Sequence, residues 1–300
     1  MTSRIDWVRR SCRLLRTIAE EFADTQPFAG LTIGTGIHLE PKTVALLLTL
    51  RAGGARVVST GNLNSTQPEA IDYLTARDVE VVGGPTADAR EHDGYLRQVL
   101  AERPDLVLDN GGDLFARYLE DPYDHLLGGT EETTSGRMRL AGLRERLARP
   151  ILVINDSPIK QFAENQHAVG QSVFESFMRI TNRATNGRRV AVFGYGACGK
   201  GVAANFRNAY AAVSVLETDP VLRLQANLDG FQVPPREVAL AEADIVVTVT
   251  GAASVVTEAD LALFKDGVIV ANAGHFPWEV AVDRILADPA VVSATEAAEG

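Results

Sequence analysis

Apolar, β-branched runs alternate with segments of helical periodicity along most of the chain. Residues 56–59, 79–82, 106–109 and 151–154 predict buried strands, with helices over 43–51, 69–76 and 94–100 between them. Alternation of this kind predicts a parallel sheet covered by helices on both faces, because parallel strands need long crossovers. Residues 156–171 interrupt the pattern with a charged, polar stretch that holds no strand. The pattern restarts at Arg189, and 190–193, 212–217, 245–250 and 267–271 predict four further strands. The expected fold is therefore α/β, with two doubly wound parallel-sheet domains. A domain at 1–165 precedes a Rossmann domain at 166–285, and a tail at 286–300 is expected to fray.

The strand at 190–193 runs straight into Gly194-Tyr195-Gly196-Ala197-Cys198-Gly199-Lys200-Gly201. This is G-x-G-x-x-G after a strand and at the start of a helix, the setting in which it binds a dinucleotide. Gly194 permits the tight turn, Gly196 lets the backbone approach a pyrophosphate, and Gly199 lets helix and strand pack closely. The next strand ends at Glu217, close to the roughly 20-residue spacing expected of the acidic ribose ligand. A carboxylate there repels a 2′-phosphate, so NAD is favoured over NADP. A P-loop reading of Lys200 fails, since Gly201 follows the lysine where Ser or Thr is required. Cys198 reads as a small packing residue.

Composition narrows the function classes. Acidic residues outnumber basic ones, 39 to 29, for a net charge of −10. That disfavours nucleic acid and anionic membranes as partners. No apolar run approaches the roughly 20 residues of a spanning helix. The alternating basic and apolar residues at 1–16 read as an amphipathic helix without a signal-peptide core. Two cysteines, Cys12 and Cys198, make neither a disulfide framework nor a zinc site. A soluble, cytoplasmic protein without a metal is expected.

Parallel sheets bind ligands outside the carboxyl ends of their strands, and polar clusters fall there. They are Asp109-Asn110-Gly111-Gly112-Asp113, Asn155-Asp156-Ser157 with Lys160, Glu164 and Asn165 beyond, Thr248 and Thr250, and Asn272-Ala273-Gly274-His275. His38 precedes the first clear helix, and Glu131-Glu132-Thr133-Thr134 lies in a segment without periodicity. Each has a plainer reading. Asp109 and Asp156 could cap helices, Lys160 and Glu164 could be a solvated i,i+4 pair, and Glu131-Glu132 could be surface charge. His92 and His125 read as surface residues and His167 is ambiguous, which leaves His38 and His275 as the histidines aimed at a cleft.

Taken in order, Ser65-Thr66-Gln67, Leu108 to Asp113, Glu131 to Thr134, Asn155-Asp156-Ser157 with Lys160, Gly194 to Gly201, Glu217-Thr218-Asp219-Pro220 and Gly274-His275-Phe276 resemble S-adenosylhomocysteine hydrolase. The resemblance implies a substrate domain hinged to a Rossmann domain with tightly bound NAD. It also implies transient oxidation of the ribose 3′ carbon, proton loss at C4′ and elimination of the C5′ substituent. Lys160 then matches the base near the 3′-hydroxyl, and His275 the histidine beside the sugar. His38 matches the residue handling the leaving-group proton, and Glu132 the carboxylate on the ribose hydroxyls. Thr133, Thr134 and Asn165 match positions touching the cofactor, and Ser135, Ala197, Cys198, Thr250 and Asn272 are counted with them.

The departures bear on function. The family's paired aspartates before Gly-Gly are here Asp109-Asn110, and an amide cannot relay a proton to the leaving-group histidine. The family's aspartate four after the lysine is Glu164, and a family cysteine near the nicotinamide is Val169. Glu40 and Lys42 replace the family's base-contacting Thr and Glu, and the chain stops at Gly300 where the family continues. The expectation is an NAD-dependent enzyme that transiently oxidises a nucleoside sugar hydroxyl to a ketone, abstracts the proton of the adjacent carbon and eliminates the neighbouring substituent, water first among candidates: a nucleoside dehydratase (hydro-lyase). S-adenosylhomocysteine hydrolysis, nucleoside oxidation or epimerisation, and a non-catalytic NAD or nucleoside sensor are the alternatives. An adenine-type nucleoside substrate and a homo-oligomer are expected.

Overall fold

Every strand pair in the two sheets is parallel. The first sheet contains β1 (Thr32–Gly36), β2 (Arg56–Thr60), β3 (Glu80–Val81), β4 (Leu106–Asp109), β5 (Gly128–Glu131) and β6 (Ile151–Val153), in the order β3-β2-β1-β4-β5-β6. The second contains β7 (Arg189–Phe193), β8 (Ala212–Leu216), β9 (Ile245–Thr248) and β10 (Ile269–Asn272), in the order β10-β9-β7-β8. Strand order reverses between β1 and β4 and again between β7 and β9. Those are the switch points where doubly wound sheets open a crevice for ligands. The computed structural model describes residues 3–274 and 277–297. It divides into two units, Met1–Asn155 and Asp156–Gly300.

Local chemistry explains the element boundaries. The helix Pro41–Ala52 starts at a Glu40 cap with proline in its first turn and buries Val44, Leu47 and Leu50. Asp88 caps Ala89–Ala101 by accepting the N–H groups of Arg90 and Glu91, so this helix begins before the apolar period at 94. β1 and β5 carry no apolar run, reading Thr-Ile-Gly-Thr-Gly and Gly-Gly-Thr-Glu. In both, glycine admits a neighbour where a side chain would not fit. A Cβ on Gly129 would overlap the Val107 carbonyl oxygen, and one on Gly34 would meet the Pro104 ring.

Each sheet carries apolar clusters. In the first unit, one gathers Ile33, Leu39, Leu47 and Leu74, and another gathers Val58, Leu96, Leu114 and Phe115. In the second, Val192, Val202, Phe206 and Val247 form one cluster, while Phe193, Leu240, Val246 and Val256 form another. His92, expected at the surface, instead lies inside. It is buried, with Nε2 3.0 Å from the Gly61 carbonyl oxygen.

The polar stretch after β6 is helical. Lys160–Val169 is a π-helix that runs directly into the α-helix Gly170–Thr181. It lies against the helix Ala197–Asn208, and the approach is close enough that side chains are excluded. A Cβ on Gly201 would overlap the Gln166 carbonyl oxygen, and one on Gly170 would overlap Gly201. Gly201 therefore positions the π-helix beside the glycine loop.

Two buried acids lie side by side where β4 and β5 end. Asp109 and Glu131 are register partners, 1% and 0% exposed. Burial, and then the neighbouring Glu131 charge, push the Asp109 carboxyl up to about 7. A carboxyl with a raised folded-state pKa stabilises the fold while protonated, and that contribution is lost as pH rises from about 4 to about 7.

Two outcomes follow from this packing. Gly201→Ala should destabilise the second unit by about 1–3 kcal/mol in denaturant titrations, the range for overpacking. Asp109→Asn should flatten the decline of the first unit's urea midpoint between about pH 4 and 7. Its overall stability should fall, since one amide oxygen replaces the two carboxylate oxygens that accept the Asn110 and Phe115 N–H groups.

Candidate functional site

In the first unit the predicted residues gather past the carboxyl ends of β1, β4 and β5. His38 lies two residues after β1, and its Nδ1 is 2.6 Å from Ser65 Oγ in the loop after β2. Asn110 follows β4 and Glu132 follows β5, and the Asn110 amide Nδ2 donates to Glu132 Oε1 at 2.7 Å. Asn110 Oδ1 is buried without a hydrogen-bond partner among the described residues. Thr133 caps the helix Thr134–Leu143, accepting the Gly136 N–H at 3.0 Å. Thr134 Oγ1 donates to Asn155 Oδ1 at 3.2 Å, and Ser135 Oγ is 3.1 Å from Thr133 Oγ1.

The second unit holds the other predicted set. A π-helix hydrogen-bonds five residues along its length rather than four, so residues four and five apart share a face. Lys160, Glu164 and Asn165 are therefore brought together. Lys160 forms an ion pair with Glu164, its side chain 13% exposed against 55% for the glutamate. Asn165 is buried. Both charges act on Cys198 in the first turn of the facing helix. Burial raises the thiol's pKa most, the Lys160 charge lowers it and the Glu164 charge raises it. Cys198 thus stays a thiol, in keeping with a packing residue.

The glycine loop has the anticipated conformation. Gly194 has φ +102, and a Cβ on Gly199 would overlap the Gly194 carbonyl oxygen. Gly196 is exposed, with open space where a Cβ would stand. It caps Ala197–Asn208, whose first bond back to the cap is from Lys200 N–H, leaving earlier amides at the helix start for a ligand. Glu217, just past β8, accepts the Tyr195 N–H at 2.7 Å and the Asp219 N–H at 3.0 Å. Its Oε1 also accepts the Thr218 N–H at 2.6 Å, while among the described residues Oε2 accepts only the Tyr195 N–H and so keeps an open lone pair against the loop.

Thr250 and Asn272 follow β9 and β10. Thr248 Oγ1 donates to Asn272 Oδ1 at 3.1 Å. Thr250 offers both N–H and Oγ1 to Glu279 Oε2, each at 2.9 Å. His275 lies outside the described residues. Two buried glutamates support these loops: Glu131, named above only within its cluster and given no role, and Glu279, which was not anticipated. A pointer to both was available in glycines beside polar motifs: Gly136 and Gly274 are positions where a Cβ would collide with the Glu131 and Glu279 carboxylates.

Among the described residues no helix is long and apolar enough to cross a membrane. Comparison with known families matches residues 4–121 to S-adenosyl-L-homocysteine hydrolase and residues 165–296 to the NAD binding domain of S-adenosyl-L-homocysteine hydrolase. An adenosylhomocysteinase from Thermotoga maritima is 41% identical over 294 residues, covering 96% of this chain and 72% of that protein. An S-inosyl-L-homocysteine hydrolase from Methanothermobacter thermautotrophicus is 39% identical, covering 92% of this chain and 68% of that protein. Dipicolinate synthase A chain from Bacillus subtilis shares the fold, with TM-score 0.51, 11% identity and coverage of 85% of this chain and 84% of that one. With both units matched, and with more than two thirds of a 41% identical relative covered, the chain belongs to the S-adenosylhomocysteine hydrolase family of NAD-dependent enzymes.

Proposed function

We propose that the chain hydrolyses the thioether of an S-nucleosyl-L-homocysteine, with a purine nucleoside and homocysteine as products. The observation that carries this reading is the relationship itself. Identity of 41% to an adenosylhomocysteinase extends over 96% of the chain, through the segments that hold His38, Asn110, Glu132 and Lys160. Hydrolysis is thereby favoured over the dehydration that the altered leaving-group residues pointed to. Relatives named for adenosyl and for inosyl substrates support a purine base, with S-adenosyl-L-homocysteine the first substrate to try.

The loop fits NAD on three observations. Space is open above Gly196, amides are left at the start of the following helix, and the Glu217 carboxylate sits against the loop. When bound, NAD supplies a reversible hydride acceptor for the sugar carbon. Gly194, Gly196, Ala197, Cys198 and Gly199 would cradle the pyrophosphate and Glu217 the ribose hydroxyls. Thr133, Thr134, Ser135, Asn165, Thr250 and Asn272 are proposed as further cofactor contacts.

The remaining chemistry falls to side chains. Lys160, largely buried, accepts the proton of the 3′-hydroxyl as the neutral amine, its own proton having passed to the paired Glu164 carboxylate. His38, its ring oriented by Ser65, delivers a proton to the departing sulfur and later takes one from the attacking water. Glu132 and Asn110 supply acceptors for the sugar. The buried, unsatisfied Asn110 Oδ1 costs about 1–3 kcal/mol unless a donor reaches it, and a substrate hydroxyl is such a donor. His275 is proposed to flank the sugar. A soluble homo-oligomer acting in the cytoplasm completes this reading.

The direct test is release of homocysteine thiol from S-adenosyl- and S-inosyl-L-homocysteine by the NAD-loaded protein. A product one water lighter than the substrate, without thiol, would instead restore the dehydratase. Lys160→Ala should lower kcat by at least about 100-fold and abolish NADH formation in single turnovers. Gly196→Ala should weaken NAD about tenfold in calorimetric titrations while leaving the cofactor-free thermal midpoint unchanged, because the added methyl group meets only the ligand's space.

A further inference from the structure

Among the buried titratable groups of the described residues, Glu131 is the one engaged with residues on either side of the candidate substrate site. Its Oε1 accepts the N–H of Gly111 at 3.2 Å, the N–H of Thr133 at 2.7 Å and the hydroxyl of Thr133 at 2.7 Å, while Oε2 accepts the N–H of Gly112 at 2.8 Å. Thr133 Oγ1 in turn accepts the Gly111 N–H at 3.1 Å and the Gly136 N–H at 3.0 Å. Asp109, the register partner of Glu131, accepts the N–H of Asn110 at 2.9 Å. Three consecutive amides, those of Asn110, Gly111 and Gly112, thus hang on side-chain carboxylates. Gly111 and Gly112 have φ +93 and +70, a backbone path that diverts their N–H groups from any strand partner. Gly136 completes the fit, since a Cβ there would occupy the space of the Glu131 carboxylate.

We infer that Glu131 is a positioning residue: its buried carboxylate ties the loop carrying Asn110 to the loop carrying Glu132 and sets the geometry in which that pair meets the substrate. Glu131 is itself fully buried and acts through these loops. Four donors converge on it, and only an ionised carboxylate offers enough lone pairs without presenting a hydrogen of its own. An isosteric amide puts two N–H donors against the same donors. The Asn110–Glu132 contact then loses its support from beneath, and misplacement by about 1 Å far from the bond-making atoms is enough to cost about 100-fold in rate. The kinetic part of this inference rests on the hydrolase reading, while its structural part does not.

The test compares NAD-loaded wild type, Glu131→Gln and Gly136→Ala by amide hydrogen exchange and steady-state kinetics. Gly136→Ala keeps the charge and displaces the carboxylate, so it carries the test if the glutamine variant fails to fold. Exchange at Gly111, Gly112 and Thr133 should accelerate at least about tenfold while β1 and β4 stay protected. kcat should fall about 100-fold, with KM changed less. Unaltered exchange at those three amides would overturn the clamp. Faster exchange with kcat and KM within about twofold of wild type would overturn its link to the site. If wild type itself releases no thiol, the hydrolase reading fails instead. The clamp is then judged by exchange and by the affinity for adenosine, which it should lower at least about tenfold when disrupted.

Discussion

Backbone N–H groups in the loops past the strand ends have no strand to pair with, and buried carboxylates take that place. Glu131 and Asp109 do so beneath the loops after β4 and β5. In the second unit Glu279 does the same, accepting the N–H groups of Thr250 and Gly251 after β9. Ionised carboxylates are acceptors only, with up to four lone-pair sites, so one residue can gather several convergent amides. An active site built on loops at a sheet's carboxyl edge has to be held rigid without regular hydrogen bonding. These acids supply acceptors where the ladder hydrogen bonds end, at the electrostatic cost visible in the raised pKa of Asp109 and of Glu131.

Glycine does the complementary work. Gly136 and Gly274 leave room for the carboxylates, Gly201 and Gly170 let the π-helix lie on the glycine-loop helix, and Gly129 lets β5 join β4. The π-helix has a consequence of its own. By placing Lys160, Glu164 and Asn165 on one face beside Cys198, it turns a run that reads as ordinary surface polarity into a charged cluster next to the dinucleotide loop. The Asn110 amide donates to Glu132, where a carboxylate would have met a like charge, while its Oδ1 stays buried without a partner among the described residues.

Much of the fold could be read from the chain. The strand at Leu106–Asp109 and the run through Val190–Phe193 into the glycine loop are apolar and β-branched, and such runs announce buried parallel strands. β1 and β5 were not anticipated because their glycines and threonines carry no strand signal, and their pairing follows from neighbours that close over them. His92 seemed a surface residue amid charges, yet its imidazole finds a carbonyl partner from a distant loop. The candidate site was legible in its motif residues and silent about its supports, since Glu131 beside Glu132 is indistinguishable from surface charge until the fold buries one of them.

The amino-acid sequence alone determined the α/β class, the dinucleotide loop with its acidic partner, and the family to which the chain belongs. These depend on local periodicity and on short motifs whose chemistry is contained within a few residues. Only the tertiary structure decided which carboxylates are buried, that the polar stretch at 156–171 becomes a π-helix packed on Gly201, and that Asn110 engages Glu132. Each of those depends on contacts between segments far apart in the chain, and burial and convergent hydrogen bonding are properties of the assembled neighbours rather than of any residue by itself.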